Sequence, residues 1–442
     1  MKYRELIIYR DPAGGEILEK AAGLIEGFEK DLWQDPASLR KAGEDLYGLM
    51  HDILDLSAVN GFYGNLWHCM LANLLVSHEN AYSRACEIRG RVWGSINQAA
   101  LHDFEIFRAY FDYDFSGMTE KLSVPAFSLL FDFEPSSQES RVYNTRIRDR
   151  ICQLAVQLEA TGSAEEMKDA VTEFYREYGV GRFGLHKAFR IISEEGDRAR
   201  IVPIKNILHV HLDDLIGYET AKARLVENTE AFLEGRPANN VLLYGEAGTG
   251  KSSSIKAIAN QYFDRGLRII EIYRHQFRDL NDVIGQIKGR NYRFIIYMDD
   301  LSFEEFETEY KYLKAVIEGG LEKKPSNVLI YATSNRRHLV RESFKDRDGD
   351  ALYDKHGGDT VNEKLSLAGR FGLSIYFGSP EFEEFQHIVA ELARRHGIDM
   401  DEKTLRSEAT RWQMRHGGLS GRTAQQFIDS LLGRADNKNV TY

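Results

Sequence analysis

Apolar residues recur at helical spacing in the part of the chain that precedes residue 206. Segments 17–28 and 46–54 each carry their apolar residues on one side of an α-helix, and 67–76 is apolar almost all round. Ser163 and Glu166, ahead of another such pattern, have the spacing of a helix-capping box. The pattern therefore predicts a mostly α-helical N-terminal domain over 1–205, in which the third helix is buried.

Three further features of this region carry no catalytic motif. The glycine cluster 179–184 lacks a strand-to-helix context and predicts a turn or linker, and apolar pairs within 189–210 predict two short strands. The aromatic residues fall at helical spacing, which favours a place in the core over a base-stacking surface. They are Trp33, Trp67, Trp93 and the aromatic residues of 104–115.

From residue 206 to residue 378, short apolar runs alternate with helical patterns. The predicted strands cover 241–244, 266–273, 294–298, 328–333 and 373–377. Strands that alternate with helices are typical of a parallel sheet covered by helices, so an α/β core domain is expected here. Apolar faces within 382–392, 405–412 and 420–432 then predict a small helical domain over 379–442.

Composition narrows the class of protein. The chain has 442 residues, of which 43% are hydrophobic and 28% charged, and its net charge of −11 argues against a broadly basic protein that coats nucleic acid. No apolar run is long enough for a signal peptide or a membrane span. Cys69, Cys86 and Cys152 are few, widely spaced and odd in number, which is typical of a reducing compartment. We expect a cytoplasmic protein without a membrane partner.

The most informative stretch follows the first strand of the α/β region. Residues 245–252 read Gly-Glu-Ala-Gly-Thr-Gly-Lys-Ser, between an apolar strand and a predicted helix. Glycines let successive backbone N–H groups turn towards a phosphate, and the N-terminus of the following helix faces the same anion. This is a phosphate-binding P-loop, in which Lys251 contacts phosphate and the Ser252 hydroxyl binds Mg²⁺. The residues predicted to hold the nucleotide here are Gly245, Glu246, Ala247, Gly248, Thr249, Gly250, Lys251, Ser252 and Ser253.

Two acids end the strand 294–298. Ligands of open α/β sheets bind at the carboxyl ends of the strands, so Asp299 is expected to hold Mg²⁺ and Asp300 to polarise an attacking water. A solvated strand end is the alternative. Glu304 and Glu305 are reserve candidates for water activation, although acids there also suit the N-terminal end of a helix.

Three further polar residues are candidates for the same site. Asn335 ends the strand at 328–333, where a neutral amide can position both a γ-phosphate and a water. Arg370 is either a solvated arginine or a residue that reaches across a subunit boundary to a neighbouring phosphate. Arg422 lies in the first turn of a predicted helix, against the helix dipole, which calls for a nearby anion.

Together these residues resemble the AAA+ family of P-loop ATPases, over 212–435. The resemblance implies a parallel sheet of order 5-1-4-3-2 with a helical lid, and Mg²⁺ and ATP as cofactors. Gly245–Ser252 is similar to Walker A, 294–300 to Walker B, Asn335 to sensor 1, Arg370 to the arginine finger and Arg422 to sensor 2. The chain also resembles a group of bacterial AAA+ proteins known only as ATP-binding, and that likeness supplies no substrate.

One departure from the family bears on rate. Many AAA+ motors carry Asp-Glu where this chain has Asp299-Asp300, and displacing a catalytic group by about 1 Å can lower a rate of the order of a hundredfold. Asp-Asp also occurs in the initiator and helicase-loader branch. Hydrolysis is therefore expected to be slow.

Three functions remain open on these residues. The first is a homo-oligomeric ATPase that binds ATP at subunit boundaries and remodels or loads a protein partner recognised by the N-terminal domain. The second is a slow ATP-dependent switch of the helicase-loader type associated with nucleic acid. The third is a P-loop kinase, which is less favoured because such enzymes need neither a sensor asparagine nor a finger after the fourth strand.

Overall fold

The computed structural model describes residues 3–12, 14–134, 145–193, 198–204, 207, 209–303, 309–318, 325–335 and 367–436. The chain divides into two compact units, Met1–His186 and Lys187–Tyr442. Within the described ranges, no helix combines the length and the apolar character needed to cross a membrane.

The first unit is helical, as predicted. Its long helices bury apolar faces in one core, and α3 is buried on nearly all sides, as its composition predicts. Its helices are α1 Glu16–Glu29, α2 Pro36–Asn60, α3 Leu66–Ser77, α4 Ala81–Arg89, α5 Ser95–Phe111, α6 Ser116–Leu122, α7 Thr145–Glu159, α8 Ala164–Tyr178 and α9 Gly181–Leu185.

Most of the aromatic residues predicted for the core of this unit are found there. Trp67 is 1% exposed and donates from Nε1 to the carbonyl of Tyr110 at 2.9 Å. The prediction is wrong for Trp93, which is 79% exposed, because it lies in the connection between α4 and α5 and not on a helix face. The glycine cluster at 179–184 is likewise more ordered than predicted, since it contains the short helix α9.

A buried carboxylate holds the start of the chain against α5. The side chain of Asp103 is fully buried and accepts hydrogen bonds from the backbone N–H groups of Ile7, Ile8 and Tyr9, at 2.9, 2.6 and 2.8 Å. Multiple N–H donors can compensate a carboxylate for the water that it loses on burial. The N-terminal segment is therefore an integral part of this unit.

A seven-stranded sheet forms the centre of the second unit, in the order β2-β1-β4-β5-β6-β3-β7. All neighbouring pairs are parallel except β1 and β2. The strands are β1 Ala188–Ile192, β2 Arg200–Pro203, β3 Val241–Gly245, β4 Leu267–Glu271, β5 Arg293–Met298, β6 Val328–Ser334 and β7 Leu373–Phe377.

The predicted strand order is present within this larger sheet. Counted from the P-loop strand β3, the run β7-β3-β6-β5-β4 is the order 5-1-4-3-2. The predicted pair of short strands is β1 and β2. It continues the sheet because Ala188–Arg190 pairs with β4, which would be the edge strand of the predicted five-stranded order. The sheet is thus two strands wider than the resemblance implied.

Helices cover the sheet and form a separate cluster at the C-terminal end. Leu225 of α10 and Ile255 of α11 pack with Val241 and Leu243 in one apolar core. The last three helices share a second core that includes Phe385, Ala409 and Ile428, as their apolar faces predict. The helices of this unit are α10 Glu219–Leu233, α11 Lys251–Tyr262, α12 Leu280–Ile287, α13 Tyr310–Glu318, α14 Phe382–Arg395, α15 Glu402–Arg415 and α16 Gly421–Asp436. Glu304 and Glu305 lie outside the described residues.

Candidate nucleotide-binding site

The P-loop connects β3 to α11 and depends on glycine at its first position. Gly245 has a φ of 138°, and a Cβ there would lie 2.0 Å from the carbonyl oxygen of Phe377 on β7. Gly248 and Gly250 have φ values of 78° and 94°, in the left-handed region that favours glycine. The loop therefore needs glycine for its backbone path and for its contact with the neighbouring strand.

A cavity of about 700 Å³ lies over this loop. It brings together most of the residues that the sequence singled out, from the P-loop, the end of β5, the end of β6 and the C-terminal helices. These are Ala247, Gly248, Thr249, Gly250, Lys251, Ser252, Ser253, Asp299, Asp300, Asn335 and Arg422. A volume of this size suits a nucleotide.

Three predicted residues do not line that cavity. Gly245 and Glu246 shape the loop beneath it, and their carbonyl oxygens accept hydrogen bonds from Lys251 Nζ at 2.8 and 2.5 Å. Arg370 lies in the turn before β7, where its N–H donates to the carbonyl of Leu367. A role for Arg370 in a neighbouring subunit's site remains a prediction.

Some lining residues were not predicted. Leu215, Ile216 and Tyr218 come from the segment before α10, and Ile388 and Leu392 come from α14. They give one end of the cavity an apolar lining, which suits a nucleobase. The sequence signal for the first three was the Asp213–Tyr218 stretch of the family resemblance, whereas the two α14 residues look in the sequence like ordinary core positions.

Lys251 is buried at the start of α11. Burial lowers the pKa of its ammonium group, and the nearby negative charge of Asp300 opposes that effect. Lys251 lines the cavity, and the two carbonyl oxygens that its Nζ contacts belong to the loop residues beneath it. A lysine in this position supplies a point charge for a phosphate.

Asp299 is oriented by two hydroxyl groups. Ser252 Oγ and Thr333 Oγ1 both donate to its Oδ1, at 2.7 and 2.5 Å. Partial desolvation raises the pKa of Asp299, but the hydrogen bonds from Thr333 and Ser252 outweigh it, so the pKa is lowered. The group is an ionised carboxylate beside a hydroxyl, and oxygen donors of this kind are those that Mg²⁺ prefers.

Asp300 has an unusual backbone conformation and hydrogen-bond partners of its own. Its φ is 49°, in the left-handed region, and its N–H donates to Thr333 Oγ1 at 2.9 Å. Its carboxylate Oδ1 accepts a hydrogen bond of 2.9 Å from Nδ2 of Asn335. The two acids at the end of β5 therefore have different partners, which suits different chemical roles.

The C-terminal helices approach the P-loop through the start of α16. Backbone N–H of Arg422 donates to the carbonyl of Gly248 at 3.1 Å, and a Cβ on Gly248 would lie 3.0 Å from both Arg422 Cβ and Ser420 Oγ. Ser420 Oγ accepts from the N–H of Thr423, so Ser420 caps the helix as predicted. The absence of a side chain at Gly248 lets the lid rest on the loop.

Short segments of the chain are similar to curated proteins. Over 71 residues the chain is 38% identical to the replication factor C large subunit of Staphylothermus marinus. The matched segment covers 16% of this chain and 16% of that protein. It is 38% identical over 79 residues to the replication factor C large subunit of Methanococcus vannielii, covering 18% of this chain and 15% of that protein. The chain thus spans less than a fifth of the length of these curated relatives.

A solved structure of a RuvB mutant from Thermotoga maritima also aligns. It has a TM-score of 0.34 and 17% identity, over 48% of this chain and 62% of that chain. Residues 185–435 match the family described as "Protein of unknown function (DUF815)". The matched region contains the whole sheet, the P-loop, both acids of β5 and the lid, which are those of an AAA+ P-loop protein. The chain belongs to the DUF815 family.

Proposed function

We propose that this protein binds and hydrolyses Mg-ATP in the cavity between the P-loop and the C-terminal helices, and that the cycle drives remodelling or loading of a macromolecular partner. The observation that carries the proposal is the hydrogen-bonded group formed by Ser252, Asp299 and Thr333 beside Lys251. A phosphate-binding cation and an ionised magnesium ligand share one cavity. That combination suits a nucleoside triphosphate with its metal.

Each residue has a distinct part in this chemistry. The Gly245–Ser252 backbone and the Lys251 ammonium bind the phosphates. Ser252 and Asp299 would hold Mg²⁺, which would supply positive charge to neutralise the charge that develops on the phosphate. Asp300 accepts a proton from, or orients, the attacking water. Asn335, which contacts Asp300, helps to fix the direction of that carboxylate.

The direct test separates binding from turnover. Phosphate release is measured with Mg²⁺ and with EDTA, and ATP affinity is measured by calorimetry for the wild type, Lys251→Ala and Asp300→Asn. We expect Lys251→Ala to lose binding, and Asp300→Asn to bind ATP while hydrolysis falls about a hundredfold or more. Asp399→Asn is the matched control, since Asp399 is exposed and does not line the cavity. Equal turnover by wild type and Asp300→Asn would contradict the proposal.

We propose further that the active form is a homo-oligomer in which Arg370 acts on the ATP of the neighbouring subunit. Mixing two inactive variants tests this. Arg370→Ala keeps its own phosphate site, and Lys251→Ala keeps its arginine, so mixed oligomers contain some complete sites only if Arg370 acts across the boundary. Recovered hydrolysis in the mixture is the expected result. Arg370→Ala that hydrolyses ATP at the wild-type rate would refute the role.

The helical unit Met1–His186 is proposed to recognise the partner, because the P-loop, its acids and the lid all lie in the other unit. Affinity capture with Asp300→Asn in the presence of ATP should retain that partner. Capture by Asp300→Asn with ATP but not by Lys251→Ala is the expected pattern, since the latter lacks the ATP-bound state.

A slow, loader-type switch associated with nucleic acid is the second candidate. Two observations favour it: the shorter Asp300 in place of glutamate, and the local similarity to replication factor C large subunits, whose name assigns them to replication. Fluorescence anisotropy with single- and double-stranded DNA, with and without ATP and over a range of salt, tests it. Nucleotide-dependent binding that weakens with salt is expected for a switch, and flat curves would dismiss it.

A further inference from the structure

Thr333 connects the two acids of the site through a single hydroxyl group. It lies near the end of β6, where every residue of the strand is buried, and it is itself 2% exposed. Its Oγ1 donates to Asp299 Oδ1 at 2.5 Å and accepts from the N–H of Asp300 at 2.9 Å. Nothing in the P-loop motif or in the pair of acids requires a threonine at this position.

The same residue also holds the chain beyond the acids. The backbone N–H of Leu301 donates to the carbonyl of Thr333 at 2.7 Å. Three successive residues, Asp299, Asp300 and Leu301, are thus tied to one residue of the neighbouring strand. These hydrogen bonds hold the residue before Asp300, Asp300 itself and the residue after it, so they fix the chain on both sides of the turn.

That turn needs support. A left-handed φ is unfavourable for a residue with a side chain, and it persists where the surroundings enforce it. At Asp300 φ is 49°, so the chain leaves the extended path of a strand directly after Asp299. In this conformation the Asp300 carboxylate contacts Asn335, while Asp299 lies beside Ser252.

A hydroxyl has one proton, so the Thr333 side chain donates one of its two hydrogen bonds and accepts the other. When Thr333 Oγ1 donates its proton to Asp299, its lone pairs remain for the N–H of Asp300. A valine would keep the β-branched shape but remove both bonds, and a serine would keep both bonds with a smaller side chain. The hydroxyl, and not the volume, is therefore the feature that sets the geometry.

We propose that Thr333 is a positioning residue that directs Asp299 towards the metal and Asp300 towards the water. The inference rests on the proposed ATP hydrolysis at this site. It assigns to β6 a second contribution beside Asn335, made through a hydroxyl that bonds to both acids. Loss of that hydroxyl should weaken Mg²⁺ binding and slow hydrolysis more than it weakens the binding of nucleotide.

The experiment compares Thr333→Val and Thr333→Ser with the wild type. ATP affinity in EDTA, the Mg²⁺ concentration for half-maximal hydrolysis, kcat and the melting temperature are measured for each. For Thr333→Val we expect ATP affinity in EDTA within about twofold of wild type, a half-maximal Mg²⁺ concentration raised about tenfold, and kcat lowered of the order of a hundredfold. Thr333→Ser should restore both constants to within about threefold, because it keeps the hydrogen bonds.

Thr172→Val controls for the general cost of removing a buried hydroxyl. Thr172 is 4% exposed and its Oγ1 bonds to the carbonyl of Lys168 and to the hydroxyl of Tyr82, in the helical unit. It should lower the melting temperature without changing the Mg²⁺ dependence. If Thr333→Val is folded with wild-type kcat and Mg²⁺ dependence, or if Thr333→Ser is as impaired as Thr333→Val, the positioning role is overturned.

The outcomes also separate this inference from the proposed function. A wild type that neither binds nor hydrolyses ATP overturns both. A wild type that binds ATP without measurable hydrolysis leaves the Mg²⁺ enhancement of its ATP affinity as the readout, which Thr333→Val should reduce about tenfold and Thr333→Ser should preserve. An unchanged enhancement in Thr333→Val refutes the role of the hydroxyl.

Discussion

The side-chain amide of Asn335 donates a hydrogen bond of 2.9 Å from Nδ2 to Oδ1 of Asp300. The contact joins the ends of β5 and β6, which are neighbours in the sheet. The amide is neutral, so it orients the carboxylate without adding a charge to the site. Asn335 therefore acts on the same carboxylate that is proposed to activate the nucleophile.

Replacing Asn335 by aspartate should be more harmful than replacing it by alanine. Alanine removes one charge-assisted hydrogen bond, and we expect kcat to fall about tenfold to a hundredfold. Aspartate adds a like charge at hydrogen-bonding distance from Asp300, which disfavours the ionised form of both. Steady-state phosphate release and ATP affinity distinguish the cases, since affinity should change little in Asn335→Ala. Equal rates in the two variants would show that the contact with Asp300 is unimportant.

Gly245→Ala should destabilise the second unit far more than an ordinary glycine substitution. The new Cβ would lie 2.0 Å from the carbonyl oxygen of Phe377, and φ at this position is 138°. Relief requires the paired strands β3 and β7 to separate, so we expect the free energy of unfolding to fall by more than about 3 kcal/mol. Urea denaturation followed by circular dichroism measures it.

Gly285→Ala is the matched comparison. Gly285 lies within α12, and a Cβ there meets nothing within 4 Å. Alanine should therefore raise the free energy of unfolding by about 0.5 to 1 kcal/mol, through its better helix propensity. If both variants lose stability equally, the close approach at Gly245 is not the cause.

The sequence predicted the placement of the polar residues of the site better than its apolar lining. Lys251, Asp299 and Asn335 follow strands whose apolar runs are unambiguous, and parallel strands bring their carboxyl ends to one edge. That these residues line one cavity was therefore predictable from the order of the strands, and their chemical roles stay predictions. The predicted division at residues 205 and 378 stays a prediction.

What the sequence left out depends on pairing across the sheet. Thr333 reads as one more β-branched strand residue, and its hydroxyl acquires meaning only when β6 lies beside β5. The left-handed φ of Asp300 is likewise invisible in an Asp-Asp pair. Trp93 shows the opposite error, since a residue that fits a helical pattern lies in a connection and is exposed. In each case the role or exposure of the residue is set by contacts between parts of the chain that are distant in sequence.

Asp103→Ala should release the N-terminal segment from the helical unit. Three backbone N–H groups, those of Ile7, Ile8 and Tyr9, lose their acceptor. Tyr9 is buried, and leaving its N–H without a partner is expected to cost about 1 to 3 kcal/mol, with a smaller cost at the two partly buried groups. Hydrogen exchange should show faster exchange of these three amides. Asp55→Asn is the control, since Asp55 and its partner His51 are both exposed and their contact should contribute less than about 1 kcal/mol.

ATP affinity should begin to decline at a lower pH than the usual pKa of a lysine side chain would predict. Burial lowers the pKa of Lys251 below its usual value of 10.5, although the charge of Asp300 opposes the effect. Only the protonated ammonium attracts phosphate, so affinity is full below the pKa of the free protein and falls as the pH rises through it. Bound phosphate favours the charged form, so the loss should level off at a higher pKa in the complex.

The measurement is a series of ATP titrations by calorimetry between neutral pH and pH values near 10, in EDTA so that metal hydroxide does not interfere. The ATP phosphates are fully ionised through the alkaline range, so the decline reports the protein. Lys251→Arg retains its charge above pH 12 and should bind more weakly but with a flat profile. A wild-type affinity that holds constant past pH 10.5 would mean that the Lys251 ammonium is not desolvated in the free protein. A decline of the same size in Lys251→Arg would assign the titration to another group.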